Sequence, residues 1–130
     1  MHTMDYTFAR AEHLKSRTAI DALLNAKSGF MSYPFRVVYQ VVESESAASA
    51  VQVMFIVRKK RFRHATDRNR FKRLLREAYR LQKQPLLDYA TAHGIGIRVA
   101  FVGISATLPA FADVQDKMCD AINKLCTTGV

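Results

Sequence analysis

Long apolar runs are missing from this chain of 130 residues. None approaches the roughly 18 residues a helix needs to cross a bilayer, so no membrane-spanning role is expected. The opening MHTMDYTFAR lacks the apolar stretch of a secretory signal, which argues against export. Cysteine is scarce: Cys119 and Cys126 are the only two. On one helix they would stand roughly 10 Å apart, beyond disulfide reach, so they are read as reduced thiols of a cytoplasmic protein. No repeat, low-complexity tract or Pro/Gly-rich linker divides the chain. Its length suits one domain with a modest core.

The residues of hydrolytic chemistry are equally sparse. A protein nuclease needs clustered carboxylates for metal ions, or a histidine pair for acid–base work. The 11 acidic residues are scattered, mostly in the N-terminal segment, residues 43–45 and the last helix. His2, His13, His64 and His93 have no metal-ligand spacing with one another or with the cysteines. The glycines of 94-GIG-96 read as a turn, not a phosphate-binding loop. No catalytic residue and no protein metal site are expected.

What the chain does have is positive charge, and it is localised. The formal net charge is +9, yet residues 58–83 hold twelve Lys/Arg against Asp67 and Glu77, a local net of +10. The other 104 residues therefore sum to −1. Such concentration is the footprint of a polyanion-binding surface, not a general aid to solubility.

Hydrophobic periodicity outlines the elements around that segment. Residues 18-TAIDALLNAKSG-29 predict a helix, with Thr18 as N-cap, Ile20, Leu23 and Leu24 on one face and Gly29 as its end. The runs 35-FRVVYQVV-42 and 51-VQVMFIV-57 predict two strands at hairpin distance, the first with Phe35, Val37, Tyr39 and Val41 on one face. After the basic connector 58-RKKRFRHA-65, Thr66 or Asp67 is expected to cap a helix reaching about Lys83, with Pro85 as its stop. A turn at 93–96, a strand at 97–104 and a helix opened by Pro109 complete the chain. A further short strand around residues 30–34 makes the order α-β-β-β-α-β-α, an α+β fold (an α/β sandwich).

Turned at about 100° per residue, the central helix separates its two chemistries. Phe71, Leu74, Leu75 and Ala78 form an apolar stripe. Asn69, Lys72, Arg73, Arg76, Arg80 and Lys83 lie opposite, with Arg68 and Arg70 on the shoulders, and Glu77 is placed to reach back to Arg73. A Lys/Arg-rich helix face is often only a solvated one. Here acidic partners are nearly absent, the connector adds five more cations and arginine outnumbers lysine eight to four. Arginine's planar fork suits phosphate, and the helix N-terminus favours it too. These features point to nucleic acid.

The run 57-VRKKRFRHATDRNRFKRLLREAYR-80 resembles the signature of the bacterial ribonuclease P protein subunit. The matching residues are Lys59-Lys60 at a strand end, a short basic loop, Arg68-Asn69-Arg70, Phe71, Lys72-Arg73-Leu74 and Arg76. The segment 14-LKSRTAIDALLNAKSG-29 resembles the family's first helix more loosely. The resemblance implies a ribosomal-protein-S5-domain-2-like fold over residues 1–130, with a left-handed β-α-β crossover against the usual right-handed rule. It implies an accessory subunit of an endoribonuclease whose RNA removes the 5′ leader of precursor tRNA, the protein alone being inactive. Lys59, Lys60, Arg61, Arg63, His64, Arg68, Asn69, Arg70, Lys72, Arg73, Arg76 and Arg80 would contact the catalytic RNA. A cleft between the first helix and the sheet, with Ile20, Leu24, Arg36 and Val38, would hold the leader. Mg²⁺ would be held mainly by the RNA, with one protein per RNA and neither DNA nor membrane as partner.

Two departures from the family pattern stand out. Ile20 and Leu24 occupy first-helix positions where relatives usually carry aromatics, so leader contact would be more apolar or would shift to Phe35, Tyr39 or Phe55, which read first as core. The segment 102-VGISATLPAF-111 and the C-terminus LCTTGV lack the basic residues often found there. The alternative reading is a ribosomal or other structural-RNA-binding protein with no part in cleavage. A protein-only nuclease would need the missing acids, and DNA binding would call for a dimerising heptad or helix-turn-helix pattern.

Overall fold

The computed structural model describes residues 28–127 except 44–50, 59 and 61, together with Asp21, Leu23 and Asn25. β1 (Gly29–Ser32), β2 (Phe35–Glu43), β3 (Val51–Val57), α1 (Ala65–Gln82), α2 (Gln84–His93), β4 (Ile95–Gly103) and α3 (Phe111–Thr127) follow in chain order. The four strands form one sheet in the order β1-β2-β4-β3. β1 and β4 both run antiparallel to β2, while β3 runs parallel to β4. Parallel neighbours need a crossover, and α1 with α2 provides it. The fold is α+β, as the residue pattern implies.

Strand alternation splits the sheet into two faces. Phe35, Val37, Val51, Val53, Val57, Ile97, Val99 and Phe101 point to the helices and meet Phe71, Leu75, Ala78 and Tyr79 of α1, Leu86 and Ala90 of α2, and Val114, Met118, Ala121, Ile122 and Leu125 of α3. The opposite face carries a smaller cluster of Val38, Ala100, Val102 and Leu23. Central β4 is thus covered on both sides, which explains its nearly continuous apolar sequence. Phe35 is fully buried, edge-on to Phe101 at 5.8 Å between ring centroids, and Tyr39 and Phe55 pack at the margin of the same core.

Several expectations need correction. Gly29 opens β1 instead of ending a helix: a Cβ there would stand 2.7 Å from the Val37 carbonyl oxygen, so the close strand approach requires glycine. Asp21 and Leu23 are helical, and Asn25 donates its N–H to the Asp21 carbonyl at 3.1 Å. Thr18, Ile20 and Leu24 lie outside the described residues. α1 ends at Gln82 with Lys83 as its C-cap, close to the expected stop. A helix not expected from the sequence begins at Gln84, with Pro85 in its first turn, where the missing N–H costs nothing. Lys83 is the joint between α1 and α2 and is buried, so it does not belong to the outward face of α1. Gly94, with φ 64°, closes α2 by donating to the Ala90 and Thr91 carbonyls.

Candidate nucleic-acid interface

The α1 helix is mounted through its apolar side. Phe71, Leu75, Ala78 and Tyr79 are fully buried, whereas Leu74 is only half-buried. The stripe is therefore rotated toward Tyr79 from the one the sequence predicts, because the Tyr79 ring packs onto Phe55 and Phe101 of the sheet. Tyr79 stands 5.7 Å from the Phe101 ring and 6.1 Å from Phe55, and Gln82 donates to the Gln115 carbonyl at 2.7 Å. The Phe71 ring lies directly over Gly103, at the end of the sheet where Val57, Gly103, Phe35 and Ser32 stand in register. The basic connector leaves β3 at that same end.

Phe62 fastens the connector. Its ring is buried edge-on against Phe71 at 5.7 Å, and its N–H reaches the Arg58 carbonyl at 3.4 Å. Arg68 adds a second fastening: Nη1 donates to the Phe62 carbonyl at 2.8 Å and to the Arg63 carbonyl at 3.2 Å. The first arginine of Arg68-Asn69-Arg70 thus organises backbone, leaving Asn69 and Arg70 exposed. Neither Thr66 nor Asp67 caps the helix. His64 is the N-cap residue, without a side-chain cap hydrogen bond, and Asp67 lies inside the first turn, where its charge suits the helix dipole.

Apart from buried Lys83, the described cations of α1 fall where angular placement expects. Lys60, Arg63, His64, Arg70, Arg73 and Arg76 are exposed, and Arg68, Lys72 and Arg80 are half-buried. Lys59 and Arg61 lie outside the described residues. Asn69, Arg73, Arg76 and Arg80 form a ridge of about 16 Å at 1.5 Å per residue. Glu77 does not turn back to Arg73. It pairs with Arg80, whose Nε donates to Oε2 at 3.2 Å and whose Nη2 donates to Oε1. Helical Cα–Cβ bonds tilt toward the N-terminus, so the longer Arg80 reaches back one turn more readily than Glu77 does. The hydrogen bond from Arg80 holds the Glu77 carboxyl below the ordinary carboxylate range.

The other face of the sheet holds a polar row that sequence reading missed. Arg98 of β4 pairs in register with Gln40 of β2 and Gln52 of β3. Gln40 Oε1 and Arg98 Nε are buried atoms with no hydrogen-bond partner among the described residues. Arg36 is exposed two residues before Val38, which is 6% exposed and packs with Leu23, Ala100 and Val102. The signal was available in 35-FRVVYQVV-42: the alternation that buries Phe35 and Val37 sends Arg36 and Gln40 to the opposite face.

Among the described residues, no group of three or more His, Cys, Asp or Glu could hold a metal ion, and no helix is long and apolar enough to cross a membrane. Cys119 and Cys126 are both free thiols on α3.

Comparison with known proteins supplies the family. The family profile for ribonuclease P matches residues 8–125. The chain is 40% identical over 113 residues to the ribonuclease P protein component of Porphyromonas gingivalis, covering 87% of this chain and 82% of that one. It is 36% identical over 109 residues to the component from Chlorobium phaeobacteroides, covering 77% and 75% of the two chains. The fold superposes on the Staphylococcus aureus RNase P protein with a TM-score of 0.64 at 16% identity, over 91% of this chain and 97% of that one. Profile, relatives and fold agree: the chain belongs to the ribonuclease P protein family.

Proposed function

We propose that, as a protein component of ribonuclease P, this chain binds the catalytic RNA through the connector and the outward face of α1. The observation that carries this reading is the division of α1 into a fully buried side and an exposed arginine side. Arg70, Arg73 and Arg76 form the centre of the contact, with Lys60, Arg63, His64, Asn69, Lys72 and Arg80 around them, and Lys59 and Arg61 in the same connector. Arg68 contributes by holding the connector's backbone. Rigid display lowers the ordering cost of binding, and guanidinium groups take phosphate oxygens in pairs.

The opposite face of the sheet is the proposed surface for the single-stranded 5′ leader of precursor tRNA. Arg36, Gln40, Gln52 and Arg98 support this reading, since a row across three strands spans roughly 10 Å. Val38 and Leu23 belong to the apolar part of that face, and Ile20 and Leu24 are proposed to extend it from the first helix. Cleavage is proposed to be the work of the RNA, with Mg²⁺ held mainly by RNA phosphates. The protein's contribution is electrostatic: it relieves phosphate crowding and positions the leader, as one protein per RNA in the cytoplasm.

Reconstitution tests this directly. The protein is mixed with a bacterial ribonuclease P RNA and a 5′-extended tRNA at low Mg²⁺. Stimulated cleavage at the mature 5′ end is expected from the mixture and none from the protein alone. Absence of stimulation would refute the reading, and cleavage by protein alone would make the chain itself a nuclease.

A further inference from the structure

Arg58 opens the basic segment in sequence, yet the fold separates it from the arginines of α1. It is the first residue beyond β3, whose Val51, Val53 and Val57 are buried in the core under the helices. Strand alternation sends Arg58 the other way, to the face that carries Gln52, Met54 and Ile56. In register across that face stand Arg36 of β2, Val102 of β4 and Ile56 of β3. Arg58 follows Ile56 by two residues, so it stands about 12 Å from Arg36, two strand spacings across and two residues along. Both arginines are exposed, and neither side chain has a hydrogen bond or ion pair among the described residues. The four strands contribute no Asp or Glu to this face. Between the two arginines Val102, 8% exposed, packs with partly buried Ile56 and Ile104 as an apolar floor. The Arg58 backbone is fixed, because its carbonyl accepts the N–H of Phe62, the residue that fastens the connector.

We propose that Arg58 is a leader-binding residue: with Arg36 it grips phosphates of the single-stranded 5′ leader, and it takes no part in holding the catalytic RNA. This inference rests on the proposed binding of the leader by that face of the sheet. A single strand presents bases and phosphates together, and free cations flanking an apolar floor match both. The rest of the connector and α1 face the helix side, so the sheet itself stands between Arg58 and the arginine ridge.

The protein's affinity for ribonuclease P RNA is measured over a range of salt, as are the reconstituted enzyme's affinities for a 5′-extended tRNA and for mature tRNA. Wild type is compared with Arg58→Ala, Arg58→Lys, Arg36→Ala and the double alanine variant. Arg58→Ala is expected to weaken binding of the extended tRNA about tenfold, the worth of one charge-assisted hydrogen bond. Its log-affinity against log-salt slope should flatten by about 0.7, one single-strand phosphate's share. Mature tRNA and ribonuclease P RNA should bind as in wild type, and Arg58→Lys should keep the slope because the charge remains. The two arginines hold different phosphates, so their losses should multiply in the double variant. An equal loss for extended and mature tRNA, or a flattened slope for ribonuclease P RNA, overturns the inference. So does no loss for the extended tRNA, or a double variant no weaker than either single one. A wild-type enzyme that binds extended and mature tRNA equally overturns the leader reading beneath it, an outcome visible before any variant is made.

Discussion

Gly103→Ala adds one methyl group at the point where α1 is mounted, and the structure sets its consequence. The new Cβ would lie 2.8 Å from Phe71 Cζ, 2.9 Å from Cε2 and 3.1 Å from Cε1. Carbon atoms rest at about 3.5 Å or more, so the ring must retreat by roughly 0.7 Å. It has little room to do so, because Phe71 is fully buried with Phe62 edge-on against it. Overpacking of this kind costs about 1–3 kcal/mol. Urea unfolding followed by circular dichroism would show a lower midpoint with an unchanged slope. Phe71→Leu by itself should also destabilise, through the cavity it leaves. Combined, the two substitutions should cost less than their sum by about 1 kcal/mol, since the smaller side chain makes room for the methyl. Additivity within roughly 0.3 kcal/mol, or a negligible cost of Gly103→Ala, would refute the packing argument.

Arg68→Lys keeps the charge but loses the fork that grips the Phe62 and Arg63 carbonyls; faster amide exchange in the connector and about tenfold weaker RNA binding are expected, with a smaller loss for Arg70→Lys. Gln40→Ala and Arg98→Ala should weaken binding of a leader-bearing tRNA to the reconstituted enzyme while leaving mature tRNA unaffected, as leader-length titrations would show. Burial pushes the Cys126 thiol up, whereas Cys119 is exposed. Iodoacetamide near pH 8 should therefore modify Cys119 first, and mass spectrometry of tryptic peptides gives the order.

Much of this arrangement was legible from residue pattern alone. β3 spans Val51–Val57, matching the predicted strand, and the two-faced character of α1 follows from helical spacing. The misreadings have physical causes. Pro85 looks like a stop until α2 starts around it, since the same missing N–H ends one helix and opens another. Tyr79 falls outside the apolar stripe that spacing predicts, because the rings of Phe55 and Phe101 that bury it come from the sheet and are not written in the local period of α1. Arg68 reads as one more phosphate ligand, and only the folded connector brings the Phe62 and Arg63 carbonyls to its guanidinium. Glu77 had Arg73 one turn before it and Arg80 one turn after it, and tilt rather than spacing chose Arg80. The polar row behind the sheet was half legible: Arg36 and Gln40 alternate with core residues on β2, but the pairing of Gln40 with Arg98 depends on strand order.

The central claim is that burial and RNA binding occupy different faces of one helix. Its most direct test is the salt dependence of ribonuclease P RNA binding by the triple variant Arg70→Ala, Arg73→Ala, Arg76→Ala. Each phosphate contact accounts for about 0.7–0.9 of the log–log slope, so the slope should flatten by roughly 2–3. Circular dichroism and the urea midpoint should remain near those of the wild type, because these three side chains are exposed. A slope equal to that of wild type, or a variant that fails to fold, would contradict the account.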